Sequence, residues 1–144
     1  MPSHKSPNNY CFACGKDNPD SMRLRFTQNE AQGTVTSHLR LHKRYAGPPG
    51  HCHGGIIATI LDEAMAKLNK LHGVTAVTGH MAVDYLRPVP LGKLLVVEAR
   101  ETHVRGRRRF RESAITNRRG EVLACGKGVF IAIDRPKVFA KSGG

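Results

Sequence analysis

Two adjacent glycines and one carboxylate are the residues of this sequence best suited to do chemistry. Gly54 and Gly55 follow His53, and Asp62 lies in the apolar run that comes next. Glycines at a helix start leave backbone N–H groups uncovered, and such groups can hold a developing oxyanion. A carboxylate among apolar residues is costly to bury, and one held there can act as a base or nucleophile. The structural alternative is a buried helix whose Asp62 caps a neighbouring backbone group.

The spacing of these groups indicates that a single reaction would need Gly54 from one chain and Asp62 from another. Gly54 and Asp62 share one stripe of a helix, and Ala58 and Met65 lie on the same stripe. At about 1.5 Å of rise per residue, Gly54 and Asp62 are about 12 Å apart along the axis, too far for both to act on one carbonyl. If they serve one reaction, they come from different copies of the chain. We therefore expect a dimer with sites shared across its interface.

The longer segment around these residues resembles a known family. HGGIIATILDEAM begins at His53, follows a Gly/Pro-rich loop over 46–52, and is followed further on by DYLRPVPLG, which begins at Asp84. This combination is similar to the hotdog-fold acyl-CoA thioesterases of the phenylacetate-degradation type. The likeness extends from about Cys11 to Ile133, and the opening CFACGKDNP is also similar to the start of many members.

The resemblance implies a fold, an assembly and a set of residue roles. The fold is a curved antiparallel sheet wrapped around one long central helix, and members pair as homodimers through a continuous sheet and often as dimers of dimers. Gly54 N–H would polarise the carbonyl of an acyl-CoA thioester, and Asp62 of the partner chain would be the base or nucleophile. His53 would orient the loop or contact the thioester, Thr78 would position water, and Gly55 would contact the substrate.

Two positions leave this catalytic assignment open. Glu63 is the competing carboxylate, but one step along a helix turns a side chain by about 100°, so only one of Asp62 and Glu63 can face the site. We expect Glu63 to be a structural or interface charge. Gly47 stands where some relatives carry Asn or Gln, six residues before the histidine of the motif. His51 or Thr78 would have to supply that polar group, or the activity would be modest.

The remaining sequence predicts the elements that hold these residues. A helix of about four turns runs to about Leu71, before Gly73, and it is apolar nearly all round, so other structure must wrap it. Alternating patterns predict a hairpin turning near 29–33, and four later strands are separated by Gly- and Pro-containing turns. One helix and about six mostly consecutive strands give an α+β fold, the hotdog arrangement that the resemblance also implies. The expected strands are 22–28, 34–40, 76–86, 93–104, 107–116 and 121–133.

The cysteines raise the question of a metal. The sequence has four, and because it carries no export signal, we expect reduced thiols and a cytoplasmic location. Cys11-x-x-Cys14 has the spacing of zinc ligands, but the His-Cys-His cluster over 51–53 does not repeat it, and adjacent residues rarely bind one tetrahedral ion. We therefore expect no metal and no cofactor, with Cys11 and Cys14 shaping a loop that packs near the site.

The charge of the chain predicts an anionic partner. The net charge is +12, with a pI near 10.2, and much of it lies in an arginine-rich stripe over 105–119. Coenzyme A and nucleic acid are both polyanions, but the stripe has few aromatics for base stacking, so nucleic acid is disfavoured. A solvated hairpin kept from aggregating by charge is the third alternative. The arginines expected to bind CoA are Arg105, Arg107, Arg108 and Arg109.

Length and hydropathy limit the organisation and the function classes. At 144 residues the chain suits a single domain over 1–144, with loose tails at about 1–9 and 137–144. Apolar runs fall short of membrane-spanning length, so we expect no membrane partner. Acyl-CoA hydrolysis is the expected function. The alternatives are a non-catalytic acyl-CoA-binding or scaffold protein of the same fold and, less favoured, a basic nucleic-acid-binding protein.

Overall fold

The computed structural model describes residues 8–134. The tails expected at about 1–9 and 137–144 therefore fall almost wholly outside the described residues. An N-terminal segment over 8–26 without regular structure precedes the first strand, and a 3₁₀ turn over Lys43–Tyr45 precedes the glycine-rich loop. The elements are β1 (Thr27–Asn29), β2 (Thr34–Leu39), α1 (Gly54–Ala66), α2 (Leu68–His72), β3 (Ala76–Tyr85), β4 (Leu95–Arg105), β5 (Arg108–Thr116) and β6 (Val122–Ala132).

The six strands form one antiparallel sheet in the order β1-β2-β4-β5-β6-β3. The helices separate β2 from β3 in sequence, so β3 reaches the far edge of the sheet and pairs with β6. Among the described strands β6 is its one neighbour, and the outer edge of β3 is therefore unpaired over its ten residues. The pairing of β3 shifts between Thr78 and His80, where Gly79 forms a β-bulge.

Helix α1 packs on the inner face of this sheet and contacts β3, β4, β5 and β6. Ile60, Leu61 and Met65 are fully buried on the helix, and burying each such side chain stabilises the fold by about 1.5–3 kcal/mol. Gly128 on β6 allows this close approach, since a Cβ there would lie 2.9 Å from the Phe130 ring and 3.1 Å from Met65 Sδ. The expected hotdog fold, a sheet wrapped around a central helix, is confirmed.

The central helix ends earlier than the sequence pattern predicted. A continuous helix to about Leu71 was expected, but the structure divides it at Lys67 into α1 and the short α2, which ends at Gly73 with φ +63°. At this junction Arg111 of β5 donates a hydrogen bond from Nη1 to Met65 O at 2.9 Å. A backbone carbonyl near the end of α1 is therefore bonded by a side chain of the sheet. No helix within residues 8–134 is long and apolar enough to cross a membrane.

Strand β1 is also shorter than the alternating pattern over 22–28 predicted. The backbone N–H groups of Met22 and Leu24 donate to carbonyls of the N-terminal segment, at Phe12 and Ala13, instead of joining the sheet. Alternation predicts a half-buried extended segment but not the backbone with which it pairs. The residues over 22–26 consequently fasten the N-terminal segment to the domain.

Candidate functional site

The N-terminus of α1 presents one unbonded donor. His53 is the N-cap, and its Nδ1 accepts a hydrogen bond from Gly55 N–H at 2.9 Å, so a neutral ring carries its proton on Nε2. A Cβ on Gly55 would lie 3.2 Å from Nδ1 and crowd this cap. Within the described residues no acceptor bonds Gly54 N–H. Gly54 N–H is thus the donor that remains available at this helix end.

Tyr85, at the end of β3, covers the same helix start. Its hydroxyl donates to Gly54 O at 2.9 Å, and its ring would be in van der Waals contact with a Cβ on Gly54, at 3.6 Å. The side chain is nevertheless half exposed, as is that of Leu86, so an apolar surface lies beside the Gly54 donor. Tyr85 had no expected role, although it stands in the quoted DYLRPVPLG segment.

Asp62 lies about two turns further along α1 and is held by β3. Thr78 Oγ1 donates to Asp62 Oδ1 at 2.7 Å, and within the described residues Oδ2 has no hydrogen-bond partner. The bulge at Gly79 sets the direction of Thr78, and it requires glycine because a Cβ there would lie 2.9 Å from Ile131 Cγ1. The carboxylate is therefore oriented beside the unpaired sheet edge.

The predicted site residues fall into two groups within one chain. Asp62 and Thr78 lie together, and His53, Gly54 and Gly55 lie together at the start of α1, where His53 caps the helix. Helix rise alone separates the groups by about 12 Å. Both groups lie under β3, since Thr78 is near the start of that strand and Tyr85 ends it.

Gly47, the departure from the relatives' pattern, has a steric reason. A Cβ at this position would lie 2.8 Å from His53 Cα, so a side chain there would displace the backbone that begins the helix. Gly47 N–H instead donates to His51 O at 2.9 Å. His51 Nδ1 is 2.9 Å from Pro49 O, within the same loop. The loop is thus packed tightly at Gly47, where the resemblance led us to expect an amide side chain in some relatives.

Glu63 faces away from Thr78 and towards the N-terminal segment. Its Oε1 lies 3.4 Å from Lys67 Nζ, and Cys11 Sγ donates to Oε2 at 3.9 Å. Cys14 belongs to the same cluster, and burial raises the pKa of its thiol to about 12, with hydrogen bonds to Glu63 and Cys11 adding to the rise. The loop that carries both cysteines therefore packs on α1 next to, but not in, the Asp62–Thr78 pair.

The arginine-rich hairpin divides into an exposed tip and a buried base. Arg105, Arg107 and Arg108 are exposed around the β4–β5 turn. Arg109 and Arg111 point inward instead, and their guanidinium groups lie 2.8 and 3.0 Å from the Glu101 carboxylate. Burial of Glu101 acts to raise its pKa, but hydrogen bonds from both arginines outweigh it and bring the pKa below its ordinary value. Three of the four arginines expected to bind CoA thus remain open to solvent.

Comparison with known proteins identifies relatives of the chain. The family model described as the thioesterase superfamily matches residues 49–124, more than half of the chain. Acyl-coenzyme A thioesterase THEM4 of Rattus norvegicus is 32% identical over 110 residues, 76% of this chain and 47% of that protein. Human acyl-coenzyme A thioesterase 13 is 28% identical over 100 residues, 67% of this chain and 71% of that protein. The chain spans less than half the length of the THEM4 proteins that it matches.

Solved structures extend the likeness to the whole fold. RHA08564, a thioesterase superfamily protein, superposes with a TM-score of 0.81 at 28% identity, over 85% of this chain and 60% of that one. The Escherichia coli PaaI protein from the phenylacetic acid degradation operon shares the fold, with a TM-score of 0.66 at 24% identity, over 71% of this chain and 74% of that one. The sequence match and the shared architecture together place this chain in the thioesterase superfamily, as the motif around His53 predicted.

Proposed function

We propose that this protein hydrolyses acyl-CoA thioesters, with Asp62 as base or nucleophile and Gly54 N–H as oxyanion donor. One observation carries the proposal: a carboxylate fixed by Thr78 Oγ1 at 2.7 Å and an unbonded helix N-terminal N–H lie under the same edge strand. Thioester hydrolysis needs these two functions, a polarised carbonyl and an activated water or nucleophile. Relatives named as acyl-coenzyme A thioesterases support the choice of substrate class.

In the proposed reaction each group has a defined task. The thioester oxygen accepts from Gly54 N–H, where the positive end of the α1 dipole stabilises the developing negative charge. Asp62 from the partner chain either takes a proton from a water that attacks the carbonyl carbon, or attacks that carbon itself to form an anhydride that water then hydrolyses. In both routes the C–S bond breaks, and CoA leaves as a thiolate that takes up a proton while the acyl group is released as a carboxylate. Thr78 holds one carboxylate oxygen, so the other is directed at the reactants. His53 positions the loop through Gly55 N–H, and Gly55 admits the substrate because it has no side chain.

A panel of acyl-CoA substrates tests this function against the alternatives. Wild-type protein and Asp62→Asn are assayed side by side for free thiol release. Turnover by wild type that falls in the variant supports hydrolysis. Saturable acyl-CoA binding by both proteins without turnover would instead support a binding or scaffold role. Binding to DNA or RNA that weakens with salt, with no thiol release, would support the nucleic-acid alternative.

The shared site predicts an assembly of at least two chains. The unpaired edge of β3 offers backbone donors and acceptors to a second β3, which would extend the sheet across both chains. The exposed Tyr85 and Leu86 at its end would be covered by the same contact. Sedimentation velocity at assay concentrations should therefore show a dimer or a tetramer. A monomer that retains full turnover would contradict the shared site.

The exposed arginines predict a substrate-dependent change in KM. If the hairpin tip binds CoA phosphates, Arg107→Ala with Arg108→Ala should raise KM for acyl-CoA by about a few-fold, because exposed phosphate contacts are screened by solvent and salt. The same variant should spare an acyl-pantetheine substrate, which lacks the 3′-phosphate. KM is measured for both substrates at low and high salt.

A second pair of exposed arginines provides the matched control. Arg118→Ala with Arg119→Ala removes the same charge at the opposite end of β5 and should leave both KM values unchanged. An equal rise of KM from this control pair would indicate general attraction of anions. Equal losses on both substrates from the tip pair would indicate that the tip arginines support the fold.

A further inference from the structure

We propose that Cys11, Cys14 and Glu63 form a binding site for a divalent cation of the zinc class, outside the proposed active site. One ligand atom from each, two thiol sulfurs and a carboxylate oxygen, lie within 4.8 Å of one another. The sulfurs come from the N-terminal loop and the carboxylate from the last turn of α1. The proposal does not depend on thioester hydrolysis, since none of the three residues belongs to the Asp62–Thr78 pair.

The distances suit a tetrahedral ion. Zinc bonds of about 2.3 Å to sulfur and 2.0–2.2 Å to oxygen place neighbouring ligand atoms about 3.6–3.8 Å apart. Cys11 Sγ already lies 3.9 Å from Glu63 Oε2, and small side-chain rotations can close the remaining gaps. Water can occupy the fourth position, because all three residues are only partly buried.

The loop backbone is built to bring the two thiols together. Gly15 N–H donates to Cys11 O at 2.7 Å and closes a tight turn around both cysteines. A Cβ on Gly15 would lie 2.5 Å from the backbone N and O of Cys11, so the turn requires glycine. The carbonyls of Phe12 and Ala13 between the thiols are bonded by residues 22 and 24. The cysteine pair is therefore preorganised for a ligand.

The local charges favour a stronger cation than the one present. The cluster holds one carboxylate, Glu63, and Lys67 is the cation that contacts it, at 3.4 Å from Glu63 Oε1. A divalent ion carries twice the charge of Lys67 and can also bond the two sulfurs directly. A bound divalent ion would displace the thiol protons and take over this role from Lys67. It would fasten the N-terminal loop to α1 one residue away from Asp62.

The experiment uses the full chain, reduced and stripped of metal with a chelator. Zn²⁺ affinity is measured by competition with a chromophoric chelator, and Co²⁺ is added separately as a spectroscopic probe. Wild type should bind one ion per chain and show a sulfur-to-cobalt charge-transfer band. Cys14→Ser keeps one sulfur ligand, so the band should fall to about half its intensity per bound ion. Zn²⁺ binding should weaken by at least about 10–100-fold, the scale for loss of a group that only supports a ligand. Cys125→Ser, which removes a thiol on the outer face of the sheet, should match wild type.

A variant at Lys67 keeps the test decisive if the cysteine variants fold poorly. Lys67→Gln removes a partly buried i,i+4 ion pair but keeps most of the side-chain volume, so it should still fold, and it frees Glu63 for the ion. Its Zn²⁺ affinity should rise by about a few-fold, since a competing positive charge is gone. Unchanged affinity in Lys67→Gln, undiminished binding by Cys14→Ser, or a Co²⁺ spectrum without the sulfur band would each overturn the proposal.

Discussion

Asp62→Asn is expected to lower kcat for acyl-CoA hydrolysis by about 10²–10⁴-fold, the range for loss of a general base. In the wild type Thr78 Oγ1 donates to Asp62 Oδ1 at 2.7 Å. Asparagine has the same shape as aspartate, and its amide oxygen can still accept this hydrogen bond. The fold should therefore persist, while the carboxylate that we propose takes the proton or attacks the carbonyl is gone. Steady-state kinetics measures kcat, and circular dichroism measures whether the fold persists, for wild type and variant alike.

Asp84→Asn is the matched control for this loss. Asp84 precedes Tyr85 on β3, and because side chains alternate along a strand, it lies on the opposite face from the Asp62–Thr78 pair. The same chemical change there should leave kcat within about a factor of two, as surface substitutions usually do. Unchanged turnover in Asp62→Asn, together with an inactive Glu63→Gln, would reassign catalysis to Glu63.

Glu101→Gln is expected to destabilise the folded protein by about 3–5 kcal/mol, the cost of breaking a buried ion pair from one side. Glu101 bonds both Arg109 and Arg111, and the Arg111 side chain has no exposed surface. Without the carboxylate, two positive groups would remain close together away from water. The free energy of unfolding in urea measures the effect. Glu112→Gln, which breaks the exposed pair with Arg100, should cost at most about 1 kcal/mol.

The difference in unfolding free energy between wild type and Glu101→Gln should change with pH in a defined direction. The pKa of Glu101 is lowered in the folded state, so its stabilisation is present above the unfolded value of about 4.3 and is lost as pH falls through the folded value. The gap in unfolding free energy between wild type and Glu101→Gln should therefore shrink on acidification below about pH 4. A gap that stays constant from neutral to acidic pH would show that the negative charge is not the stabilising group.

Local sequence patterns predicted most of the fold, because turns and periodicity are encoded by neighbouring residues. The helix begins at Gly54 as expected, and the four later strands lie within a few residues of their predicted limits. Glycines in turns account for much of this agreement. Gly106 and Gly120, with φ +59° and +78°, lie in the turns that separate the last three strands. The position of β3 at the sheet edge, beside β6, was not predicted from the sequence.

Contacts between distant segments could not be predicted in the same way. Glu101 meets Arg111 only because a bulge at Thr102 shifts the pairing of β4 with β5, and no local pattern shows that shift. The cysteine pair contacts Glu63, 52 residues from Cys11, whereas the only candidate partner in the sequence pattern was the His-Cys-His cluster over 51–53. Such groups depend on tertiary register, which a single sequence does not specify.

Among the strands of residues 8–134, β3 pairs on one side alone, while its inner side chains contact both groups of the proposed site. If the other edge of β3 is the seam between chains, catalytic capacity becomes subject to mass action, because dissociation separates Asp62 of one chain from Gly54 of the other. Turnover per chain would then fall on dilution below the dissociation constant of the dimer. Cellular abundance, in addition to substrate supply, would then set the rate of the proposed hydrolysis.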